Sequence, residues 1–242
     1  MRTREQEEKF VIEMIRVQLE FARDISKQLL MPFSDAINDF TMIQEFTDFN
    51  TSNLFGWVDR QDSSWINVLQ TFRIENSNEG IISDMLPLIQ NRITKNLKEF
   101  EGMYKEKWSR DNSCIGLNLQ GTNAEMHVHN NFYPESFLDF SLERDIKKML
   151  STLPVHIETI SCCTWLNDVP RFYKHFPESY KKSETWYDHY REPGLGIFGQ
   201  FINKNYEANM KTIGYYVENR KLKYLMKNCV CSVKDLKAFY EF

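Results

Sequence analysis

Two histidines separated by a single residue, His127-Val128-His129, carry the most pointed chemistry in this chain. On a β-strand successive side chains alternate faces. Both imidazoles then project to one side, about 7 Å apart, while Met126 and Val128 project to the other. Two such nitrogens suit zinc, iron, copper or nickel, with Glu135 or Asp168 as a third ligand. Without a transition metal, either ring can act as a general base, because histidine exchanges its proton near neutral pH. The competing assignment is two exposed or hydrogen-bonded histidines with no chemical duty.

A second constellation is Cys162-Cys163-Thr164-Trp165-Leu166-Asn167-Asp168. It closes the run VHIETISCCTWL, which is rich in β-branched and apolar residues and reads as a buried strand. Ligands of α/β folds gather beyond the carboxyl ends of strands, so Trp165, Asn167 and Asp168 form a candidate pocket edge. Cys163 becomes a nucleophile if a histidine such as His127 lies beside it, since the thiolate is the reactive form. Otherwise Trp165 packs in the core and Asp168 caps the next helix.

A third segment, Arg191-Glu192-Pro193-Gly194-Leu195-Gly196-Ile197-Phe198-Gly199, contains G-x-G-x-x-G without the preceding apolar strand that a dinucleotide turn requires. Read as R-x-x-G-x-G, the residues Arg191, Gly194 and Gly196 offer backbone N–H groups to phosphates. Read as a plain glycine turn, they feed GIFGQFI, which the pattern predicts to be a strand. The basic run from Arg220 to Lys227 serves as solvated cations at a helix end or as a docking face for an acidic carrier protein.

Helical spacing dominates the elements ahead of these residues. Val11, Ile15, Ala22, Ile25 and Leu29, joined by Met14 and Phe21, form one stripe of a helix that Pro32 stops. Ser34 is the expected N-cap of a second helix, and Ser63 or Ser64 of a third. A fourth is predicted from about Asp84 to Tyr104, with Pro87 in its first turn. The period then changes. CIGLNLQGTNAEMHVHN alternates on both sides of Gly-Thr-Asn, the pattern of a hairpin. Ser136–Leu150 and NYEANMKTIGYY return to helical spacing, and CVCSV reads as a last short strand.

The implied fold is α+β (or α/β). Residues 1–110 make a helical lobe, and residues 111–242 a mixed sheet of about five strands with flanking helices, all packed as one compact unit. The 242 residues are 42% apolar and 26% charged, an ordinary globular balance that can bury a large core without staples. A net charge of −4 does not favour nucleic acid as a partner. No apolar run is long enough for a membrane span, and the charged N-terminus lacks the short apolar core of a signal peptide. Five cysteines in apolar settings fit reduced thiols and a cytoplasmic protein.

The order of these pieces resembles two-part acyltransferases that have a helical N-terminal lobe and a GNAT-like C-terminal domain. The similarity rests on a strand ending in His127 or His129, on Ser141-Leu142 within a helix, and on Cys162-Cys163-Thr164-Trp165-Leu166. Phe176–Tyr180 falls where that family has Leu-Pro and a polar residue, and Thr164 replaces the commoner Ser. The resemblance covers roughly residues 115–200. It implies acyl transfer from acyl-CoA or acyl-phosphopantetheine to an amine or hydroxyl of a small-molecule substrate. His127 or His129 would be the base, Trp165, Asn167 and Asp168 the acceptor pocket, and Arg191, Gly194 and Gly196 the phosphate contacts. The alternatives are a metal-dependent enzyme built on His127 and His129, and an aromatic-rich binding module without catalysis.

Overall fold

The computed structural model describes residues 3–49, 59–107, 113–129, 136–186, 195–205 and 207–241. In chain order these form α1 (Arg4–Leu29), α2 (Phe33–Phe40), α3 (Ser63–Leu69) and α4 (Asn78–Lys107), then the hairpin β1 (Ile115–Gln120) and β2 (Asn123–Val128). Helices α5 (Phe137–Phe140) and α6 (Leu142–Thr152) lead to β3 (Thr159–Thr164), α7 (Pro170–Tyr173), α8 (Glu178–Lys182) and β4 (Thr185–Trp186). The chain ends with α9 (Leu195–Phe198), α10 (Met210–Asn219), β5 (Lys227–Ser232) and α11 (Val233–Phe239). The fold is α+β: an N-terminal run of helices precedes a five-stranded mixed sheet with flanking helices. No helix among the described residues is long and apolar enough to cross a membrane.

Two compact units emerge. The first comprises Met1–Glu106, Tyr190–Leu195 and Ala208–Lys221; the second comprises Lys107–His189, Gly196–Glu207 and Leu222–Phe242.

In the first unit, Thr3 and Gln6 close a capping box at the start of α1, each side chain accepting from the other's backbone N–H. The apolar stripe of α1 is buried at Val11, Met14, Ile15, Ala22 and Ile25, but Leu29 is exposed. The helix stops one residue later, where Leu30 takes a left-handed conformation (φ 53°) and returns its N–H to Ser26. That turn, ahead of Pro32, ends the helix. Gln18 is fully buried inside the stripe and is satisfied at both ends, donating to Met14 O and accepting from Met42 N. Antiparallel contacts join α1 to α4: Gln90 donates to Glu8, Arg16 to Glu79, and Asn78 to Glu20. Tyr216 of α10 donates to Asp24 at 2.7 Å, and Arg220, which caps that helix, pairs with Glu20 and Asp24.

Three helix boundaries differ from the sequence pattern. Pro32, not Ser34, occupies the N-cap of α2, and its fixed φ of −55° suits that entry. Asp62, not Ser63 or Ser64, caps α3 by accepting from the Ser64 and Trp65 N–H groups. Helix α4 begins at Asn78, so Pro87 lies in its interior. Burial of Ile81, Ile82, Met85 and Ile89 on either side of the proline offsets the missing backbone hydrogen bond.

In the second unit the strand order is β1-β2-β3-β5-β4. Gly121, at φ +57°, makes the two-residue turn that joins β1 and β2 in antiparallel register from Ile115↔Val128 to Gln120↔Asn123. The crossover through α5 and α6 makes β2 and β3 parallel, whereas β3–β5 and β5–β4 are antiparallel. One face of the sheet is core. There Ala124, Met126, Ile160, Cys162, Cys229 and Cys231 pack with Leu142, Ile146 and Met149 of α6, Phe172 of α7 and Leu236 of α11. The segment VHIETISCCTWL is less strand-like than its composition suggests. Val155 is fully exposed, β3 alternates between half-buried and buried positions, and Trp165–Asp168 turns as a 3-10 helix. GIFGQFI is not a strand: Leu195–Phe198 is helical and Gly199–Phe201 continues as a 3-10 turn. Burial of Ile197, Phe198 and Phe201, spaced for one helical face, explains the difference.

Candidate functional site

The sheet face opposite the core is largely polar. Strand alternation brings Asn123, Glu125 and His127 of β2 to it, with Thr159, Ser161 and Cys163 of β3 and Asn228 and Val230 of β5. Side chains knit the two parallel strands: Asn123 donates to Ser161 Oγ at 2.9 Å and accepts from Thr159 at 3.0 Å. Nearer the carboxyl end, His127 Nε2 lies 3.8 Å from Glu125 Oε2. His129 follows β2, held by its N–H to Cys114 O at 2.9 Å.

Gly116 separates the two imidazoles. A Cβ at that residue would lie 3.9 Å from both His127 Cβ and His129 Cε1, so the rings flank one glycine on one face. The His129 pKa is lowered, first by partial loss of solvent around the ring; a hydrogen bond with the Ser113 backbone opposes this, and neighbouring His127 adds to it. The neutral ring of His129 is thereby favoured over the imidazolium. No group of three His, Cys, Asp or Glu side chains that could hold a metal ion occurs among the described residues, and Glu135 lies outside them.

The segment after β3 is structural in its contacts. Asn167 is fully buried, donating to Cys162 O at 2.7 Å and Lys227 O at 2.8 Å and accepting from Tyr180 OH at 2.9 Å. Asp168 accepts from Leu225 N–H at 3.0 Å and meets Lys227 Nζ at 2.8 Å; the same ammonium lies 2.9 Å from Glu184. Trp165 packs on Tyr224 at a ring separation of 5.6 Å. Cys163 faces the same side as His127, apart from this cluster. Arg191 and Gly194 lie outside the described residues, and Gly196 belongs to α9. Of the basic run, Arg220 and Lys227 are each held between two carboxylates.

A groove of about 530 Å³ lies between α5–α6 and the turn after α7, lined by Leu138, Ser141, Arg144, Lys174 and His175 among others. Neither His127, Cys163 nor Asp168 lines it. Asp145 of α6 accepts from Cys114 N–H at 2.8 Å, and Cys114 in turn receives His129 beyond β2; Lys174 and His175 follow β3. Ser141 is the N-cap of α6, yet its side chain makes no cap hydrogen bond. Its Oγ is buried without a partner of proper geometry; the neighbouring Cys114 thiol is a weak one. Helix α6, 11 residues long, starts there with Glu143 and Asp145 in its first turn.

Charges around the groove are unevenly committed. Arg144 holds Asp145 at 2.8 Å, Lys147 holds Glu143 at 2.8 Å, and Arg171 pairs with Asp139, while Lys174 is exposed. His175 Nε2 lies 3.2 Å from Leu138 O, which can only accept, so the neutral ring donates from Nε2. Its pKa is lowered by partial burial and then by Lys174. Sequence spacing singles out neither Lys174 nor His175, because they meet Ser141 only through the crossover. No protein-family model, no curated protein and no solved structure matches the chain.

Proposed function

We propose that this chain is an acyltransferase that moves an acyl group from a phosphopantetheine thioester, such as an acyl-CoA, to an amine or hydroxyl of a small molecule. The observation that carries the reading is the end of the parallel ladder. Registered pairs between β2 and β3 run from Asn123↔Thr159 to Glu125↔Ser161, and none follows among the described residues. Yet β2 runs on to Val128 and β3 to Thr164. Alternation from the His129–Cys114 bond turns the backbone groups of Met126 and Val128 toward β3. An extended arm bearing amides, as phosphopantetheine does, can bond such an edge as a short added strand. The groove at the start of α6 supports the same reading, since Ser141 and exposed Lys174 suit the phosphate end of that donor.

In this mechanism a backbone N–H at the strand opening polarises the thioester carbonyl. His127, beside Glu125, takes the proton of the attacking amine or hydroxyl as the new bond forms to the acyl carbon. The carbon–sulfur bond breaks, and the thiolate leaves to be reprotonated. Asn167 and Asp168 tie the ends of β3 and β5 together.

Thermal-shift titration with CoA, acetyl-CoA and pantetheine tests the reading. Binding of CoA raises the melting temperature, pantetheine raises it less, and Lys174→Glu weakens the CoA response while leaving the unliganded melt unchanged. His127→Ala abolishes turnover without loss of stability. No response to any of the three compounds at ~1 mM, a concentration that would still reveal a weak site, sinks the proposal.

A further inference from the structure

Strand β1 is an edge of the sheet, and nothing in its own sequence blunts that edge. Ile115-Gly116-Leu117-Asn118-Leu119-Gln120 has no charge and no proline, and its ladder with β2 runs through all six residues without a bulge. Those are the devices by which edges ordinarily avoid pairing with another strand. The opposite edge, β4, is only two residues long.

The register fixes which backbone groups point outward. His129 bonds Cys114, and antiparallel bonding alternates, so Gly116, Asn118 and Gln120 face β2 while Ile115, Leu117 and Leu119 face away. The Ile115 N–H is satisfied by Ser113 Oγ at 3.0 Å. Both backbone groups of Leu117 and Leu119, and the Ile115 carbonyl, remain directed off the edge. The side chains of Leu117 and Leu119 are 38% and 47% exposed, although their register partners Met126 and Ala124 are buried in the core.

We propose that this edge pairs with the same edge of a second copy of the chain, antiparallel and centred on Leu117. The strand is self-complementary about that residue. Leu117 exchanges two hydrogen bonds with Leu117 of the other copy, and each Leu119 N–H donates to the other copy's Ile115 carbonyl. Leu117 then meets its own counterpart, and Leu119 meets Ile115, on the face that continues the core layer; Gly116 and Asn118 oppose each other on the polar face. Charge selects the occupant. A basic or acidic strand finds no counter-charge on Ile115–Gln120, whereas a second neutral copy brings no like charges together. The two-fold axis closes the assembly at a dimer instead of propagating it.

Sedimentation equilibrium of the full chain between ~1 and ~100 µM tests the inference, because a weak two-fold interface is revealed by its concentration dependence. The expected result is a monomer–dimer equilibrium that Leu117→Lys and Leu119→Lys each shift at least tenfold toward monomer. Both positions are partly exposed, so their melting temperatures stay near that of the parent below the dissociation constant. Val155→Lys, at a fully exposed residue outside the strand, leaves the equilibrium unchanged. A monomer throughout that range overturns the proposal, as does a dimer that neither leucine variant weakens. A monomer that captures a foreign strand at this edge overturns it as well.

Discussion

The indole of Trp165 occupies the space that a side chain at Gly199 would need: a Cβ there would lie 3.0 Å from Nε1. The glycine is thus explained by packing, not by a ligand approaching its backbone. Gly199→Ala forces the ring away from Tyr224 and costs about 1–2 kcal/mol, read as a lower melting temperature. An alanine variant as stable as the parent would show that the ring moves freely.

Asn167 ties the end of β3 to the start of β5 and accepts the hydroxyl of fully buried Tyr180. Asn167→Ala leaves that hydroxyl without its acceptor and costs roughly 2–4 kcal/mol. Any activity lost should fall in proportion to the folded fraction in a denaturant titration. Loss of turnover in a fully folded variant would instead make Asn167 part of the reaction.

Glu45 has its pKa raised to about 7, chiefly by burial and against the opposing pull of Arg60 and Arg92. The folded form then binds more protons than the unfolded chain between the ordinary carboxyl pKa of 4.5 and about 7. Stability therefore falls as pH rises through that window and is level above it, by ~1–3 kcal/mol for this group. Melting curves of Glu45→Gln at pH 5, 6, 7 and 8 should show a flatter profile than the parent. Superimposable profiles would contradict the assignment.

Ile25 is 1% exposed in the stripe of α1. Replacing it with Asp buries an uncompensated carboxyl and costs about 3–5 kcal/mol, enough to lower the unfolding midpoint sharply. An unchanged midpoint would place the stripe against solvent.

The sequence made some elements legible because one local rule governed them. Helix α1 follows from a single apolar stripe, and the β1–β2 hairpin from alternation about Gly121. Elsewhere tertiary packing overrode the local signal. Pro87 sits inside α4 because buried isoleucines hold both flanks, and GIFGQFI coils because its aromatics bury on one side. The candidate site was legible in one part, the paired histidines, whose spacing sets their shared face. A polar pair after an apolar strand, such as Asn167-Asp168, has the same composition whether it meets a ligand or the next strand. The groove was hidden for a different reason. Ser141 and His175 are brought together by the crossover, and no periodicity records that meeting.

The thiols extend what the core face of the sheet can report. Cys114, Cys162, Cys229 and Cys231 are buried, and burial pushes all four pKa values up, Cys114 and Cys231 to about 12. Cys163 alone among the five is half-buried, on the polar side. Under native conditions a maleimide should therefore attach first at one position, and every later attachment should await an opening of the second unit. Mass increments counted over time become a clock for the breathing of the sheet, with the first increment marking the face that holds His127.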